Sequence, residues 1–435
     1  MSQPFFSVLR RARGRVLLPV LSGLLAVAAR PAAAGEFRLL LEGEAGVTGD
    51  SNRDDQVDPL DPDQLSRAES VGRVGTYLRL SYELERLQLA LDYSPFYEQS
   101  LDDSEISGTS HRLDFGLVGD LTQRLNLQIR ERLQSSPDID LYAPVATPET
   151  VAVSRRGDQL THNLDIALRQ QSTRRSSVFL GLNHGRRTFE STDLFDSETL
   201  NARIGAAFNL TESRFVEAAA GLGRFEYENG RESQVGTAGV AYGRELGRNG
   251  ELRIEGGGWQ VEPGNGPLIG FEEEDEETGW RGGLQLSHGR ERVRWALGYS
   301  HDVSPGAGLG RTAEVDNAFV GLSTALGRRW SFGLDGSASR QKALGEELAG
   351  EGAADRPYDT EFAAGTARIA WSSAQNVRLS GGYSRVWQSD RTGLFEDLSY
   401  DRYFLGLAFR IYATGEAPEE PNKLGRPTDE ESDPQ

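Results

Sequence analysis

Apolar and polar residues alternate one by one over much of this chain, and the stretch 400–412 shows the pattern most clearly. Its odd-numbered positions from Tyr403 to Ile411 are large and apolar, whereas the even positions from Arg402 to Arg410 are mostly small or charged. A period of two is the pattern of a β-strand whose two faces meet different surroundings. The unbroken apolar face predicts a strand with one side against lipid.

The same alternation recurs in pairs of runs joined by short turns. Each run has about ten residues, the length that a tilted strand needs to cross hydrocarbon. Connections of about two to five residues alternate with connections of about seven to twenty-seven, as in membrane barrels with short periplasmic turns and longer outer loops. With a first strand at 36–48 and a last strand at 400–412, the pattern predicts an all-β fold, a transmembrane antiparallel up-and-down β-barrel of about 18 strands. The predicted hairpins pair 75–84 with 87–97, 111–121 with 124–132, 160–170 with 176–186, 200–210 with 214–227, 235–245 with 251–261, 280–288 with 292–301, 318–326 with 330–339, and 362–371 with 376–387.

The N-terminal segment predicts export from the cytoplasm. Four arginines between positions 10 and 15 precede an apolar run at 16–29, and Ala32-Ala33-Ala34 follows as a small-residue cleavage site. This is the pattern of a secretory signal peptide, here 1–34. The alternative is a membrane anchor, but the apolar run is well short of the roughly 20 residues of a spanning helix. The barrel then covers 35–412, and the acidic segment 413–435 is predicted to be a disordered periplasmic tail.

Composition narrows the function classes. The mean hydropathy of −0.50 argues against helical spans, whereas a barrel needs only half of each strand to be apolar. The net charge of −19 argues against nucleic acid as a partner. The acidic run at 271–277 is predicted to be a solvated outer loop.

The faces assigned to the lumen are rich in arginine. A barrel of 16 to 18 strands keeps an aqueous lumen, and a positive lining would favour anions. The alternative is that these charges pair with carboxylates across neighbouring strands. Inward aromatic side chains predict either stacking on sugar rings or packing of a folded-in loop. The predicted pore-lining residues are Arg79, Arg112, Arg130, Arg203, Arg253, Arg281, Arg294, Arg378, Arg410, Tyr77 and Phe179.

Metal binding and catalysis have weak sequence signals. Asp50, Asn52 and Asp54 have the alternate spacing of a calcium loop, but the sixth position is Asp55 and not glycine. The chain has five histidines and no accompanying serine motif, so neither an enzyme nor a cofactor is predicted.

The chain resembles the β-barrel porins associated with exopolysaccharide biosynthesis and export in Gram-negative bacteria. The matching features are Ala45-Gly46-Val47-Thr48-Gly49-Asp50-Ser51-Asn52, Gly381-Gly382-Tyr383-Ser384-Arg385 and Tyr400-Asp401-Arg402-Tyr403-Phe404-Leu405-Gly406-Leu407. The resemblance implies a channel that secretes a polysaccharide together with a periplasmic export assembly. It also implies assembly by the outer-membrane insertion machinery and contact with lipid and lipopolysaccharide. The acidic tail after the last strand departs from the usual ending of such barrels.

Three function classes therefore stay open at this point. The first is an exopolysaccharide channel, and the second is a general or solute-selective uptake porin. The third is a structural or adhesive barrel with a closed lumen. The segment 135–155 is a candidate constriction loop, a feature of uptake porins.

Overall fold

The computed structural model describes eleven segments of the chain, and 18 β-strands run through them. No helix of these segments is long and apolar enough to cross a membrane. The described residues are 36–50, 69–101, 107–138, 156–189, 195–263, 276–290, 292–305, 312–344, 359–373, 376–391 and 398–413. The strands are β1 Glu36–Asp50, β2 Glu69–Leu84, β3 Leu87–Ser100, β4 Ser107–Thr122, β5 Leu125–Asp138, β6 Arg156–Gln171, β7 Ser176–Phe189, β8 Ser197–Thr211, β9 Arg214–Tyr227, β10 Glu232–Glu245, β11 Gly250–Pro263, β12 Glu277–Gly289, β13 Val293–Ser304, β14 Ala313–Leu326, β15 Trp330–Ala343, β16 Asp359–Ser372, β17 Val377–Asp390 and β18 Leu398–Ala413.

Every strand pairs antiparallel with its neighbours in the sequence, and the two terminal strands close the ring. β1 pairs with β18 from Leu40 opposite Ala413 to Asp50 opposite Arg402. The ring leaves no strand edge, which is the condition for a sheet to cross a bilayer. The predicted barrel of 18 strands and its closing strand are confirmed.

The strands are longer than predicted. They run from 12 to 16 residues, and β12 covers Glu277–Gly289 where the sequence predicts 280–288. Alternation is visible in the sequence only where one face meets lipid. The strands stay paired beyond the lipid band because hydrogen bonds still stabilise the backbone N–H and C=O groups at the rims.

The two ends of the barrel differ. Eight connections of two to four residues lie at one end, which we call the short-turn rim, and nine connections lie at the other, the long-loop rim. Long loops face outside in such barrels. One connection at the long-loop rim is shorter than predicted. It joins β9 to β10 in four residues, and Gly230 there has a φ of 83°, which glycine adopts without steric cost.

One face of the sheet is an apolar belt. Leu222 and Ile204 are 74% and 64% exposed. Trp330 lies on this face near the short-turn rim, and Trp280 lies on it near the long-loop rim, the positions of the two aromatic girdles. An exposed apolar surface of this extent needs lipid around it.

The opposite face is concave and charged. Arg253 on β11 reaches Glu217 on β9 at 3.3 Å, passing over β10, a contact that the concave side of a sheet favours. The Tyr227 hydroxyl also lies 3.2 Å from Thr312, 85 residues away. This face therefore lines the lumen.

Large aromatic side chains of the lumen lie over glycines of the next strand. A Cβ on Gly205 would lie 2.3 Å from Cζ of Phe179, and one on Gly243 would lie 2.1 Å from the ring of Phe215. Phe404 covers Gly382 in the same way. Such aromatic–glycine pairs fix the register of neighbouring strands because the ring fits only where a side chain is missing.

We predict that Gly205→Val lowers the stability of the barrel by about 1–3 kcal/mol, the usual cost of overpacking. Adding Phe179→Ala should restore only part of it, because the new Cβ also lies 2.6 Å from the backbone oxygen of Ala218. The temperature at which the folded band is lost on semi-native gels measures the effect. Gly116→Val is the control, since a Cβ there meets nothing within 4 Å. Equal losses in the two variants would contradict the packing argument.

Candidate functional site

All eleven predicted pore-lining residues lie on the lumenal face. Each occupies the strand parity opposite to the apolar belt, and together they are spread around most of the ring. Tyr77 and Arg79 are on β2, Arg112 on β4, Arg130 on β5, Phe179 on β7, Arg203 on β8, Arg253 on β11, Arg281 on β12, Arg294 on β13, Arg378 on β17 and Arg410 on β18.

Some of these arginines bind one carboxylate each. Arg79 binds Asp92 on β3 with two parallel bonds, Nε to Oδ1 at 2.6 Å and NH2 to Oδ2 at 2.9 Å. The Tyr77 hydroxyl donates to the same Oδ1 at 2.8 Å. Arg281 on β12 lies 2.8 Å from Asp302 on β13. These pairs are locally neutral and stiffen the wall through charge-assisted bonds.

Two other carboxylates are shared by two arginines. Arg112 and Arg132 donate through Nε to the two oxygens of Asp114, at 2.6 Å and 2.7 Å. Arg203 and Arg253 both donate to Oε1 of Glu217, at 2.8 Å and 3.3 Å. We call these the shared-carboxylate clusters. At Asp114 two positive charges meet one negative charge, so this cluster leaves a net charge of about +1 at the lumen wall. Arg253 also lies 3.8 Å from Glu255, so the carboxylates balance the arginines in the Glu217 cluster.

The predicted aromatic platforms pack against the wall. Phe179 lies over Gly205, and the Arg203 guanidinium lies 5.4 Å from the centroid of its ring. Phe404 is held over Gly382. Both rings fill gaps left by glycines, so this packing does not favour the prediction that they stack on sugars.

Pro305 and Thr312, the described ends of the β13–β14 connection, lie inside the lumen, which the sequence pattern does not predict. Pro305, just after β13, is buried and lines a small cavity of about 40 Å³ with Thr161, Gly185 and Ser197 of β6, β7 and β8. Before β14, Thr312 donates to the Ser233 hydroxyl of β10 at 2.9 Å. Both ends of the β13–β14 connection therefore lie against walls several strands away from β13.

The lumen is packed next to this connection. Inward side chains of β14 to β17 near the long-loop rim are almost fully buried, with Val315, Ser384 and Val386 each 1% exposed. Farther from this rim, Arg130 of β5 and Arg169 of β6 stand exposed. Protein fills the β14–β17 side of the outer mouth. The predicted constriction loop 135–155 lies outside the described residues from 139 onwards.

Three asparagines form a second polar feature that the sequence analysis missed. The Asn183 amide donates to Asn163 and Asp165 at 2.8 Å each, and Asn201 donates to Asn183 at 3.3 Å. These residues occupy inward positions of three successive strands, β6 to β8. Asparagine at matching inward positions of neighbouring strands is the signal that could have found this amide ladder.

No metal site is found among the described residues. No group of three or more His, Asp or Glu side chains in this part of the chain has an arrangement that could hold a metal ion. The calcium candidate lies outside it except for Asp50, which ends β1. His162 and His184 lie on the lipid-facing side, next to Glu131 and Glu198. The signal peptide, most of the acidic run and the tail also fall outside the described residues and stay predictions.

A closed antiparallel ring with an apolar outer belt and a charged lumen defines a transmembrane β-barrel of the bacterial outer membrane. No protein-family profile and no curated protein matches the sequence. Solved porin structures are similar over most of the chain. They include Pseudomonas aeruginosa OccK2 (OpdF), at 11% identity with a TM-score of 0.44, covering 86% of this chain and 98% of that chain.

Two further structures give the same result. Pseudomonas aeruginosa OpdO is 13% identical with a TM-score of 0.42, over 87% of this chain and 98% of that chain. Acinetobacter baumannii OccAB4 is 11% identical with a TM-score of 0.42, over 86% and 98%. The barrel architecture is established by the strand pairing of this chain. These distant similarities are not needed for it. The resemblance to export-associated porins finds no support in these matches.

We predict that Glu217→Gln makes the pore more selective for anions. One unit charge about 7 Å from a passing ion in water is worth about 0.6 kcal/mol. Its removal favours chloride and disfavours potassium by that amount each, so the chloride-to-potassium permeability ratio should rise about sevenfold. Reversal potentials in a KCl gradient across a planar bilayer measure the ratio. Glu226→Gln on the lipid-facing side of the same strand is the control. An unchanged ratio in Glu217→Gln would show that Glu217 does not face the ion path.

Proposed function

We propose that this chain forms a selective diffusion channel for small anionic solutes across the outer membrane. The observation that carries the proposal is the shared-carboxylate cluster at Asp114 on β4 and β5, in which two arginines meet one carboxylate. This cluster is part of the wall, so its position is fixed before a solute arrives.

Fixed positive charge in a water-filled passage attracts anions. Low-dielectric walls concentrate the field in the aqueous path and raise the local concentration of the opposite charge. Guanidinium groups also suit carboxylate and phosphate solutes, which they bind with paired hydrogen bonds. Arg112 and Arg132 keep 44% and 52% of their side-chain surface exposed, so a passing anion can reach them.

The packing of the outer mouth limits the size of the solute that can pass. Protein fills the β14–β17 side of the lumen near the long-loop rim, and Pro305 and Thr312 lie against the facing walls. This packing favours small solutes over a polymer. Export of an exopolysaccharide with a periplasmic assembly is implied only by the resemblance, and no described residue gives it a specific site. A closed structural barrel is disfavoured by the exposed arginines of the lumen.

Permeation of glucuronate and glucose by the refolded chain in liposomes tests the proposal, because these two sugars differ by one carboxylate. OccK2 (OpdF) has been solved in complex with glucuronate, which makes this sugar a convenient probe. The native chain should pass glucuronate faster than glucose. Replacing Arg112 and Arg132 by Gln should lower the ratio of the two rates by about three- to tenfold, from the loss of two charges near the path.

The matched control changes the same charge on the other face. Arg224 and Arg385 lie on the lipid-facing side, and their replacement by Gln should leave the ratio unchanged. Equal rates for both sugars in the native chain would refute the anion preference. Absence of conductance in a planar bilayer would refute the channel itself. Passage of long anionic glycans at the rate of monosaccharides would favour the export function instead.

A further inference from the structure

The ladder between β12 and β13 stops short of the long-loop rim. Its last pair is Gly282 opposite His301. Residues 277–281 of β12 still pair with β11, and residues 302–304 of β13 still pair with β14, but these two stretches do not pair with each other. By comparison, β14 and β15 stay paired up to Ala313 opposite Ala343. We call the unpaired stretch the seam.

Side chains and not backbone bonds hold the seam together. On the lumenal side, Arg281 meets Asp302 at 2.8 Å. On the lipid-facing side, the Trp280 ring stacks on His301 with centroids 3.9 Å apart. His301 is fixed by β14, because its Nδ1 lies 2.9 Å from Asp316 Oδ1. Side-chain contacts open at lower cost than a continuous backbone ladder, so the wall is weakest here.

An apolar cluster lies directly behind the seam. Phe225, Tyr227, Val235, Trp259 and Val261 are buried together in the lumen, in a wall whose other inward positions are mostly small, polar or charged. Val303, one of the unpaired residues of β13, packs against this cluster. The Trp259 indole lies over Gly279, a seam residue of β12 that pairs with β11 but not with β13. An aqueous channel for small polar solutes has no need of such a cluster.

The cluster contains an unpartnered donor. Trp259 is 5% exposed, and its Nε1–H has no hydrogen-bond partner among the described residues. A buried N–H without an acceptor costs about 1–3 kcal/mol, and an arriving acceptor would recover that energy. The cluster is closed in this state, with Val303 and Leu344 packed against it. Once the seam parts, it presents an apolar surface with one polar donor, which matches an amphiphile with an acceptor head group.

Outside the barrel, an apolar groove reaches the same strand. It has a volume of about 810 Å³ and runs over β7 to β12, with small residues such as Ala202, Ala220 and Ala238 between the larger Leu180 and Leu222. It ends at Thr278, within the unpaired stretch of β12.

We propose that the seam is a lateral portal through which a long-chain fatty acid passes between the lumen and the outer leaflet of the membrane. The acyl chain lies against the Phe225–Trp259 cluster, and the carboxylate accepts the Trp259 indole N–H. Parting of Trp280 from His301 opens the path to the groove. This activity is separate from the anion channel, since it uses the wall and not the axial path.

The absence of cysteine from the chain allows the seam to be stapled. Arg281 and Asp302 come directly after the last ladder pair, Gly282 opposite His301, and their side chains already meet, so cysteines at these positions come within reach of a disulfide. We expect Arg281→Cys with Asp302→Cys to take up oleate when reduced, because neither residue belongs to the apolar cluster. Uptake should fall to the level of a channel-free host when the disulfide forms, and a reductant should restore it. A short bismaleimide replaces the disulfide if the two thiols stay apart.

The measurement is uptake of radiolabelled oleate by a Gram-negative host that lacks its own fatty-acid channel. Glucuronate permeation is followed in parallel and should not respond to the staple. The control pair is Val320→Cys with Gly336→Cys, which staples β14 to β15 where the ladder is intact and should leave oleate uptake unchanged.

Two results would overturn the portal. One is oleate uptake that is the same in the stapled and reduced states, and the other is native uptake no higher than that of the host. The two proposals fail separately. Loss of the preference for glucuronate over glucose would refute the anion channel alone, and staple-independent oleate uptake would refute the portal alone.

Discussion

The pairing of backbone N–H and C=O groups in a medium without water is the constraint on which this structure depends. A sheet satisfies it in hydrocarbon only by closing on itself, and the pairing of β1 with β18 closes it here. Closure creates the two environments that the sequence must serve. One residue parity meets lipid and is apolar, and the other meets water and carries the arginines and carboxylates. Both the apolar belt and the charged lumen follow from this single requirement.

The fold could be predicted because lipid-facing apolar residues and lumen-facing polar residues alternate one by one along the strands. Tyr403 to Ile411 and the eight hairpins identify the strands and their faces, and the inward positions of Arg79, Arg203 and Arg410 follow by parity. The ends of the strands could not be predicted. Beyond the lipid the two faces meet the same solvent, so β12 continues to Glu277 without a sequence signal.

The contacts inside the lumen were also out of reach of sequence reading. Periodicity gives the face of a residue but not the register between strands, and register decides which arginine meets which carboxylate. The sharing of Asp114 and Glu217 by two arginines each depends on it. The entry of Pro305 and Thr312 into the lumen depends on the path of a connection, for which the sequence has no period. The roles assigned to the lumenal residues remain proposals.

The short-turn rim has a consequence for how this chain can vary. Connections such as Glu85-Arg86 and Gln123-Arg124 have no spare residue, so one inserted residue there shifts the next strand by one position. Such a shift exchanges the two faces of the strand and moves its arginines into lipid while its leucines enter water. At the opposite end, a loop can absorb added residues without disturbing the ladder. Insertions and deletions are therefore tolerated best at the long-loop rim, while the membrane-embedded wall changes mainly by substitution.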